Sequence, residues 1–163
     1  QEGLASLQII FNIFRQKPIT ELFNDAKAKG VSLIVRLPLA SGLLGGKLNP
    51  NVSFPENDHR LFNSDGQCFN VGETFAGIPF TIGLDIVEEL KKMIPEGMTL
   101  AQMSLRWILD FDAVTVVIPG SKSPLQIPDN ASATHLPSLP KSLHDKLSSF
   151  YNEEIAQHIR GKY

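Results

Sequence analysis

Three short runs of apolar and β-branched residues constrain the fold of this chain more than any other feature. They cover residues 7–11, 31–35 and 114–118. Nearly continuous apolar runs of this length are typical of parallel strands that are buried on both faces. Segments with helical spacing separate them, which predicts an α/β fold in which parallel strands alternate with helices. From this pattern alone, part of a (β/α)₈ barrel and an open doubly wound sheet both remain possible.

Capping residues predict where the helices begin. After the first strand, Thr20 is the expected N-cap. The helix before the third strand opens with Thr99 and Gln102 at the spacing of a capping box. After the third strand, Ser123 is the expected N-cap of a short helix. Apolar side chains at helical spacing over about residues 140–157 predict a closing amphipathic helix.

The segment from residue 45 to about residue 80 is a long connection rich in Asn, Gly, Pro, Asp and Phe. Its apolar residues follow no sustained helical or strand period. Because most connections have only ~4–6 residues, a loop of this length is expected to be either a functional lid or a segment whose elements the pattern misses. The chain has 163 residues, of which 42% are hydrophobic and 20% charged, the ordinary range for one globular unit. Residues 1–163 are therefore predicted to form a single domain.

Composition also excludes several classes of partner. The formal net charge is -2 and no basic run is present, so nucleic acid is not an expected ligand. The apolar stretches are too short to span a bilayer, and no secretory signal is recognisable. The single cysteine, Cys68, cannot form an internal disulfide. We therefore expect a soluble protein of the reducing cytoplasm that does not contact membranes.

Side chains suited to metal binding or catalysis do not form a recognisable set. The four histidines are dispersed, without the spacing of a metal site, and are expected to be surface residues. No serine lies in a nucleophile elbow, and the adjacent glutamate pairs are expected to be solvated helix faces. The sequence therefore predicts neither a metal site nor a catalytic set.

Two strand ends carry residues that suit an anion. The third strand runs into Gly120, Ser121 and Lys122 just before a capped helix, where free backbone N–H groups and a lysine would suit a phosphate. A plain strand-to-helix turn is an equally good interpretation of that pattern. For the glycine-rich residues 41–47, a simple change of direction is favoured over phosphate binding. Arg36 ends the second strand, and a buried arginine there needs a partner.

Four motifs occur in a fixed order along the chain and together resemble one family. They are Leu-Gln-Ile-Ile-Phe-Asn at 7–12, Pro-Leu-Ala-Ser-Gly-Leu-Leu-Gly-Gly-Lys at 38–47, Leu-Ala-Gln-x-x-Leu-Arg-Trp at 100–107 and Val-Ile-Pro-Gly-Ser-Lys at 117–122. In this combination the chain is similar to the aldo-keto reductases. The resemblance implies the C-terminal portion of a (β/α)₈ barrel, from its sixth to its eighth strand, with NADP(H) lying across the carboxyl ends of the strands.

The resemblance also implies roles for individual residues. At the nicotinamide, Gln8 would hydrogen-bond the carboxamide, and Arg36 would stack on the ring where many members have an aromatic residue. The remaining implied contacts are Leu39, Ala40 and Gly42 along the pyrophosphate, Gly120, Ser121 and Lys122 at the 2′-phosphate, and Gln126 and Asn130 near the adenosine. Pro128 lies within the helix that carries the last two residues, which makes the position of Asn130 harder to predict.

One departure from the family pattern bears on activity. The family's catalytic Asp, Tyr, Lys and His belong to its first four strands, which have no counterpart here, so no catalytic residue is predicted. The chain opens with Gln1 and is interpreted as a fragment. The parent would reduce aldehydes or ketones with NADPH, whereas this chain alone would be inactive. The alternatives are a non-catalytic nucleotide-binding or regulatory subunit, or a purely structural fragment.

The predicted partners follow from the same interpretation. They are the nicotinamide cofactor, a small carbonyl substrate whose identity the sequence does not specify, and a chain that covers the open sheet edges. Because about three strands cannot close a barrel, the edges would be covered by a missing N-terminal half, by the chain's own long loop or by a second copy in a homodimer.

Overall fold

A parallel three-stranded sheet organises the chain. The computed structural model describes residues 3–161. Its strands are β1 (Ser6–Ile10), β2 (Ser32–Arg36) and β3 (Val114–Val117). They lie in the order β1-β2-β3, and β2 pairs in parallel with both neighbours. The α/β class with parallel strands alternating with helices is therefore confirmed.

Seven α-helices within the described residues connect and cover these strands. Their bounds are α1 (Pro18–Glu21), α2 (Phe23–Ala28), α3 (His59–Phe62), α4 (Phe80–Lys91), α5 (Leu100–Leu109), α6 (Gln126–Ser132) and α7 (Lys141–Phe150). Short 3₁₀ turns add Ala40–Gly45, Val71–Glu73, Phe75–Gly77, Ala133–His135 and Ala156–His158, and one π turn covers Tyr151–Ile155. Among the helices of residues 3–161, none has the length and apolar character needed to cross a bilayer.

The two faces of the sheet differ in burial. Leu33 and Val35 are fully buried beneath the helices, together with the aromatic core. On the opposite face, β2 presents Ile34 and Arg36, and Val116 of β3 is paired with Ile34 but remains 42% exposed. We call this opposite face the open sheet face. Burial on both faces was predicted for all three strands and is wrong: only Leu33 and Val35 of β2 are buried, and β1 and β3 contain no buried residue, because the described helices cover only one face of the sheet.

An aromatic cluster at the end of β1 ties the sheet to its helices. Phe11 follows β1 directly and stacks on Trp107 of α5, with ring centroids 4.9 Å apart. The edge of Phe23 from α2 meets Phe11 at the same distance of 4.9 Å, and Phe111 meets it at 5.3 Å. Aromatic pairs in these geometries contribute about 0.5–1.5 kcal/mol beyond the area they bury. The cluster therefore fixes two helices against one end of the sheet.

The predicted helix starts have mixed outcomes. The capping box is confirmed, because Thr99 Oγ1 accepts from the N–H of Gln102 at 3.2 Å and Gln102 Oε1 accepts from the N–H of Thr99 at 2.9 Å. Thr20 is not an N-cap, because Pro18 begins α1 two residues earlier with a φ already set for a helix. Leu22 then interrupts the segment with φ -131° and separates α1 from α2.

The predicted loop of residues 45–80 and the predicted helix of residues 140–157 each contain more than one element. Between residues 45 and 80, α3 and two 3₁₀ turns lie within the predicted loop. The C-terminal helix is regular only over Lys141–Phe150, and it widens into the π turn Tyr151–Ile155. The apolar spacing still describes its buried side, since Leu147, Tyr151 and Ile155 face the core.

A buried carboxylate links α5 to α7. Asp110 Oδ2 lies 2.9 Å from His144 Nε2 and accepts from the N–H of Leu139 at 2.9 Å, while Oδ1 accepts from Arg106 Nε at 3.0 Å. Burial alone would raise the pKa of Asp110, but the hydrogen bonds from His144 and Leu139 outweigh it, and the pKa is lowered. The charged form of Asp110 is therefore the one that the fold stabilises.

We expect Asp110→Asn to lower the free energy of unfolding by about 2 kcal/mol, because Arg106 and His144 then lose a buried anionic partner. Since the folded-state pKa lies below the unfolded value, this stability is present above the unfolded pKa and is lost as pH falls through the folded pKa. Urea unfolding at neutral and acidic pH measures both effects. Asp145→Asn is the control, because its pair with Lys141 is exposed and should change stability by less than about 0.5 kcal/mol. Equal losses in the two variants would contradict the prediction.

Candidate functional site

The candidate site lies beyond the carboxyl end of β2, where the backbone takes an uncommon conformation. Leu37, Ala40 and Ser41 have φ values of 50°, 46° and 56°, and Gly42 has 99°. Non-glycine residues rarely adopt positive φ, and such positions concentrate at ligand sites when surrounding contacts hold them. The turn from Leu37 to Gly42 is therefore a strained segment that needs specific support.

The Ser41 hydroxyl supplies much of that support. Its Oγ donates to the carbonyl of Glu73 at 3.3 Å and accepts from the N–H of Phe75 at 3.1 Å. His59 Nε2 lies 3.4 Å from the same oxygen. Through one side chain, the end of the 45–80 segment is fastened to the strained turn. These contacts hold the polar groups around the turn in place.

Arg36 has a charged partner, as expected for an arginine at a strand end, and that partner is Glu73. Its Nη1 donates to Glu73 Oε1 at 2.7 Å, and its Nη2 lies 2.6 Å from Oε2, so the guanidinium and the carboxylate meet as two parallel contacts. Hydrogen bonding to Glu73 raises the pKa of Arg36, against the opposing effect of burial. Arg36 therefore remains charged, and Glu73 balances that charge.

A second arginine, Arg60, lies beside the turn and was not predicted from the sequence. Its Nε and Nη2 donate to Asp58 Oδ1 and Oδ2 at 2.9 and 2.6 Å. Its guanidinium carbon lies 4.3 Å above the ring of Phe54, and its Nη1 is 3.5 Å from the carbonyl oxygen of Ser41. The Arg60 side chain is only 11% exposed. The sequence signal was Asp58 as the N-cap of α3, which accepts from the N–H of Arg60 at 3.0 Å.

Asp58 lies between Arg60 and Lys122, and Lys122 belongs to the loop after β3. Lys122 Nζ lies 3.7 Å from Asp58 Oδ2, while the lysine side chain is 76% exposed. Hydrogen bonding from Arg60 lowers the pKa of Asp58 well below its usual range, although burial opposes this. Two cations thus share one carboxylate within reach of Ser41 and Gly42. The arrangement has a net positive charge and suits an anionic ligand.

The loop after β3 differs from its prediction. The helix α6 begins at Gln126 rather than at Ser123, and no side chain caps its start. Gln126 Oε1 accepts from the N–H groups of Lys122 and Ser123 at 2.6 and 3.3 Å, so these donors are not free for an anion as predicted. The side chain of Gln126 reaches them because the loop curls back over the helix start. Of the predicted donors, the N–H groups of Lys122 and Ser123 are therefore occupied, whereas the lysine side chain is exposed and available to a phosphate.

The other residues of the predicted cofactor contacts fall into two groups. Arg36, Leu39, Ala40 and Gly42 lie together around the strained turn, and Ala40 is buried. Gly120 and Ser121 lie exposed after β3, with Ser121 Oγ accepting from Asn130 Nδ2 at 3.2 Å, and Pro128 lies inside α6.

Gln8 lies on the adjacent strand and faces the same side as Arg36. The parallel register pairs Gln8 with Ile34 and Ile10 with Arg36, so the side chains of Gln8 and Arg36 both project from the open sheet face. Gln8 is exposed. The fold therefore brings the two residues predicted for the nicotinamide onto one surface, near the strained turn.

Histidines and metal-ligating groups are arranged differently from a metal centre. Within residues 3–161, no group of three or more His, Cys, Asp or Glu side chains could hold a metal ion. The histidines were all expected at the surface, which is wrong for His144, because it is largely covered beside Asp110 and stacks near Trp107. Cys68 is exposed. Tyr151 is buried, and Tyr163 lies outside the described residues.

The chain is similar in sequence to one known protein family. A family model described as the aldo/keto reductase family matches residues 3–152. Aldo-keto reductase str7 of Strobilurus tenacellus is 30% identical over 137 residues, which are 82% of this chain and 38% of that protein. L-glyceraldehyde 3-phosphate reductase of Escherichia coli K12 is 30% identical over 112 residues, 69% of this chain and 31% of that protein. The chain thus spans well under half the length of these relatives.

Solved structures give the same picture of the fold. The glycerol dehydrogenase AKR11B4 of Gluconobacter oxydans aligns with a TM-score of 0.68 and 22% identity, over 97% of this chain and 44% of that chain. An aldo/keto reductase of Klebsiella pneumoniae in complex with NADP and acetate aligns with a TM-score of 0.54 and 19% identity, over 90% of this chain and 39% of that chain. At these identities the likeness concerns the fold alone.

We expect Ser41→Ala to destabilise the chain by about 2 kcal/mol, because the Phe75 N–H loses its acceptor and the strained turn loses its tie to Glu73. Urea unfolding of the purified chain measures the loss. Ser53→Ala is the matched control, since Ser53 is exposed in the same segment and should be nearly neutral. A Ser41→Ala variant as stable as the control would show that the turn does not need the hydroxyl.

Proposed function

The chain belongs to the aldo/keto reductase family, and on that premise we propose that it forms the C-terminal, cofactor-binding portion of an NADP(H)-dependent reductase. Its three parallel strands would be the sixth to eighth strands of a (β/α)₈ barrel, in which ligands bind at the carboxyl ends of the strands. The complete protein would reduce a small aldehyde or ketone.

The observation that carries this proposal is the convergence of Arg60 and Lys122 on Asp58, beside the strained turn. The two cations approach the same carboxylate, Asp58, at 2.6 and 3.7 Å, and Arg60 also reaches the carbonyl of Ser41. Arginine and lysine are the side chains that proteins use for phosphate, arginine through two parallel donors and lysine as a mobile point charge. Because Asp58 occupies the two parallel donors of Arg60, Lys122 is the cation open to a phosphate, and the site fits a phosphate-bearing nucleotide through it.

Lys122 is the member of this set best placed to recognise a 2′-phosphate. Its contact with Asp58 is long, at 3.7 Å, and its side chain is largely exposed. Moving the ammonium group from Asp58 to a phosphate would break only a weak surface pair, and Arg60 would still satisfy Asp58. A 2′-phosphate distinguishes NADP(H) from NAD(H), so Lys122 would give the site its cofactor preference.

The nicotinamide end would lie at the carboxyl-end rim of the open sheet face, beside Arg36. Gln8 has a carboxamide suited to pair with the nicotinamide carboxamide, and Arg36 offers a planar cation suited to stacking. When bound, the reduced cofactor supplies a hydride to the carbonyl carbon. The proton for the carbonyl oxygen would come from the family's catalytic residues, for which no residue of this sequence is a match.

The exposed apolar residues and open strand edges of the sheet indicate where further chain would pack. Val116 on the open sheet face and Ile118 just beyond β3 are 42% and 45% exposed, and β1 and β3 each have one described neighbour. Apolar strands with open edges tend to pair with further chain. We propose that the remaining strands of a barrel cover them, with a homodimer as the alternative and the cytoplasm as the location.

Titration of the purified chain with NADPH and NADH, followed by fluorescence, tests the proposal. We expect NADPH to bind more tightly, and Lys122→Ala to weaken NADPH binding about tenfold while leaving NADH binding nearly unchanged, because only NADPH carries the 2′-phosphate. Lys141→Ala is the control, since Lys141 lies exposed on α7 and pairs only with Asp145 in the described contacts.

Absence of NADPH binding by the folded chain would contradict the proposal and favour a structural fragment. The oxidation of bound NADPH on addition of an aldehyde separates an active reductase from a non-catalytic nucleotide-binding subunit. We expect no such oxidation by the chain alone.

A further inference from the structure

Arg36 and Glu73 form a bidentate ion pair at the carboxyl end of β2. Two contacts of 2.7 and 2.6 Å join the Nη atoms to the carboxylate oxygens. The side chains are 35% and 28% exposed, so the pair is neither buried in the core nor free in solvent. It lies at the rim of the open sheet face, on the side that also carries Gln8.

Glu73 is held in place independently of Arg36. It ends the 3₁₀ turn Val71–Glu73, which Asn70 caps by accepting from the N–H of Gly72 at 2.8 Å. Its carbonyl accepts from Ser41 Oγ at 3.3 Å. The backbone on both sides of the carboxylate is therefore fixed, and Glu73 meets Arg36 from a preset position. A carboxylate fixed in this way balances the arginine charge continuously, unlike a mobile surface partner.

Charge balance matters at this position because the ligand itself changes charge. The nicotinamide ring of NADP⁺ carries a positive charge, and the ring of NADPH is neutral. An unbalanced guanidinium stacked on the ring would repel the charged ring of NADP⁺ but not the neutral ring of NADPH. This repulsion would be stronger than in water, because the site is partly desolvated. A guanidinium paired with a carboxylate presents the same plane with little net charge.

We propose that Glu73 neutralises Arg36 beside the nicotinamide, so that the site accepts the oxidised and the reduced cofactor with comparable affinity. This inference rests on the proposed function, which brings the nicotinamide to Arg36. Glu73 is then a positioning residue: it acts on the ring through Arg36 and sets the balance between the two oxidation states. A purely structural tie would stabilise the turn without distinguishing them.

Two single variants of the chain are expected to shift the relative affinity for NADP⁺ and NADPH in opposite directions. Glu73→Gln leaves Arg36 unbalanced, and we expect the ratio of the Kd for NADP⁺ to the Kd for NADPH to rise about tenfold, as for repulsion between two close unit charges at the edge of a protein. Arg36→Gln leaves Glu73 unbalanced, and the same ratio should fall. The double variant Arg36→Gln/Glu73→Gln removes both charges and should return the ratio towards that of the unmodified chain.

Isothermal titration calorimetry with NADP⁺, NADPH and adenosine 2′,5′-bisphosphate measures these affinities. The bisphosphate lacks the nicotinamide, so its Kd should be unchanged in all three variants. Glu88→Gln is the matched control, because Glu88 pairs with Lys91 on the exposed side of α4. If Glu73→Gln does not fold by circular dichroism, the Arg36→Gln and double variants still test the charge balance.

An unchanged NADP⁺ to NADPH ratio in folded Glu73→Gln and Arg36→Gln, with bisphosphate binding intact, would overturn the inference and leave the proposed function standing. Shifts of the ratio in the same direction in both single variants would also overturn it. Failure of the unmodified chain to bind the bisphosphate or NADPH would instead overturn the proposed function.

Discussion

Parallel pairing of β2 with both neighbours determines where the rest of the molecule lies. Parallel strands end at the same edge of a sheet, so the segments that follow β2 and β3 emerge side by side. Lys122 therefore approaches Asp58, whose partner Arg60 reaches the strained turn, although the three residues are far apart in the chain. The helices that connect the strands cover one face, on which the aromatic cluster around Phe11 packs. The other face remains available.

Carboxylates of the 45–80 segment accompany every cation of the site. Glu73 binds Arg36, and Asp58 binds Arg60 and approaches Lys122. These pairs bring the segment down onto the strained turn, and they also limit the positive charge that a ligand would meet. A phosphate is attractive to such a site chiefly through the more exposed cation, whose pair is the longest. The same contacts thus hold the segment and set the electrostatics.

Local signals predicted the elements that local forces control. The capping box of Thr99 and Gln102 formed as its spacing predicts, because both partners lie on one helical turn. The start of α1 was misplaced because proline, a stronger local constraint, precedes Thr20. Ser123 is not an N-cap, because α6 begins only at Gln126. The cofactor roles of Gln8, Arg36, Lys122 and the other implied residues stay predictions.

By itself, the sequence determined three parallel strands alternating with helices, the capping box, and a set of motifs sufficient to identify the family. It also indicated that Arg36 needs a partner, but it did not identify Glu73. Only the tertiary structure decided that pairing, and only it brought Arg60 and Asp58 to Lys122 and left one sheet face open. The physical reason is range: caps and strand patterns depend on residues a few positions apart, whereas Arg36 and Glu73 are 37 positions apart and meet only when the whole segment has packed.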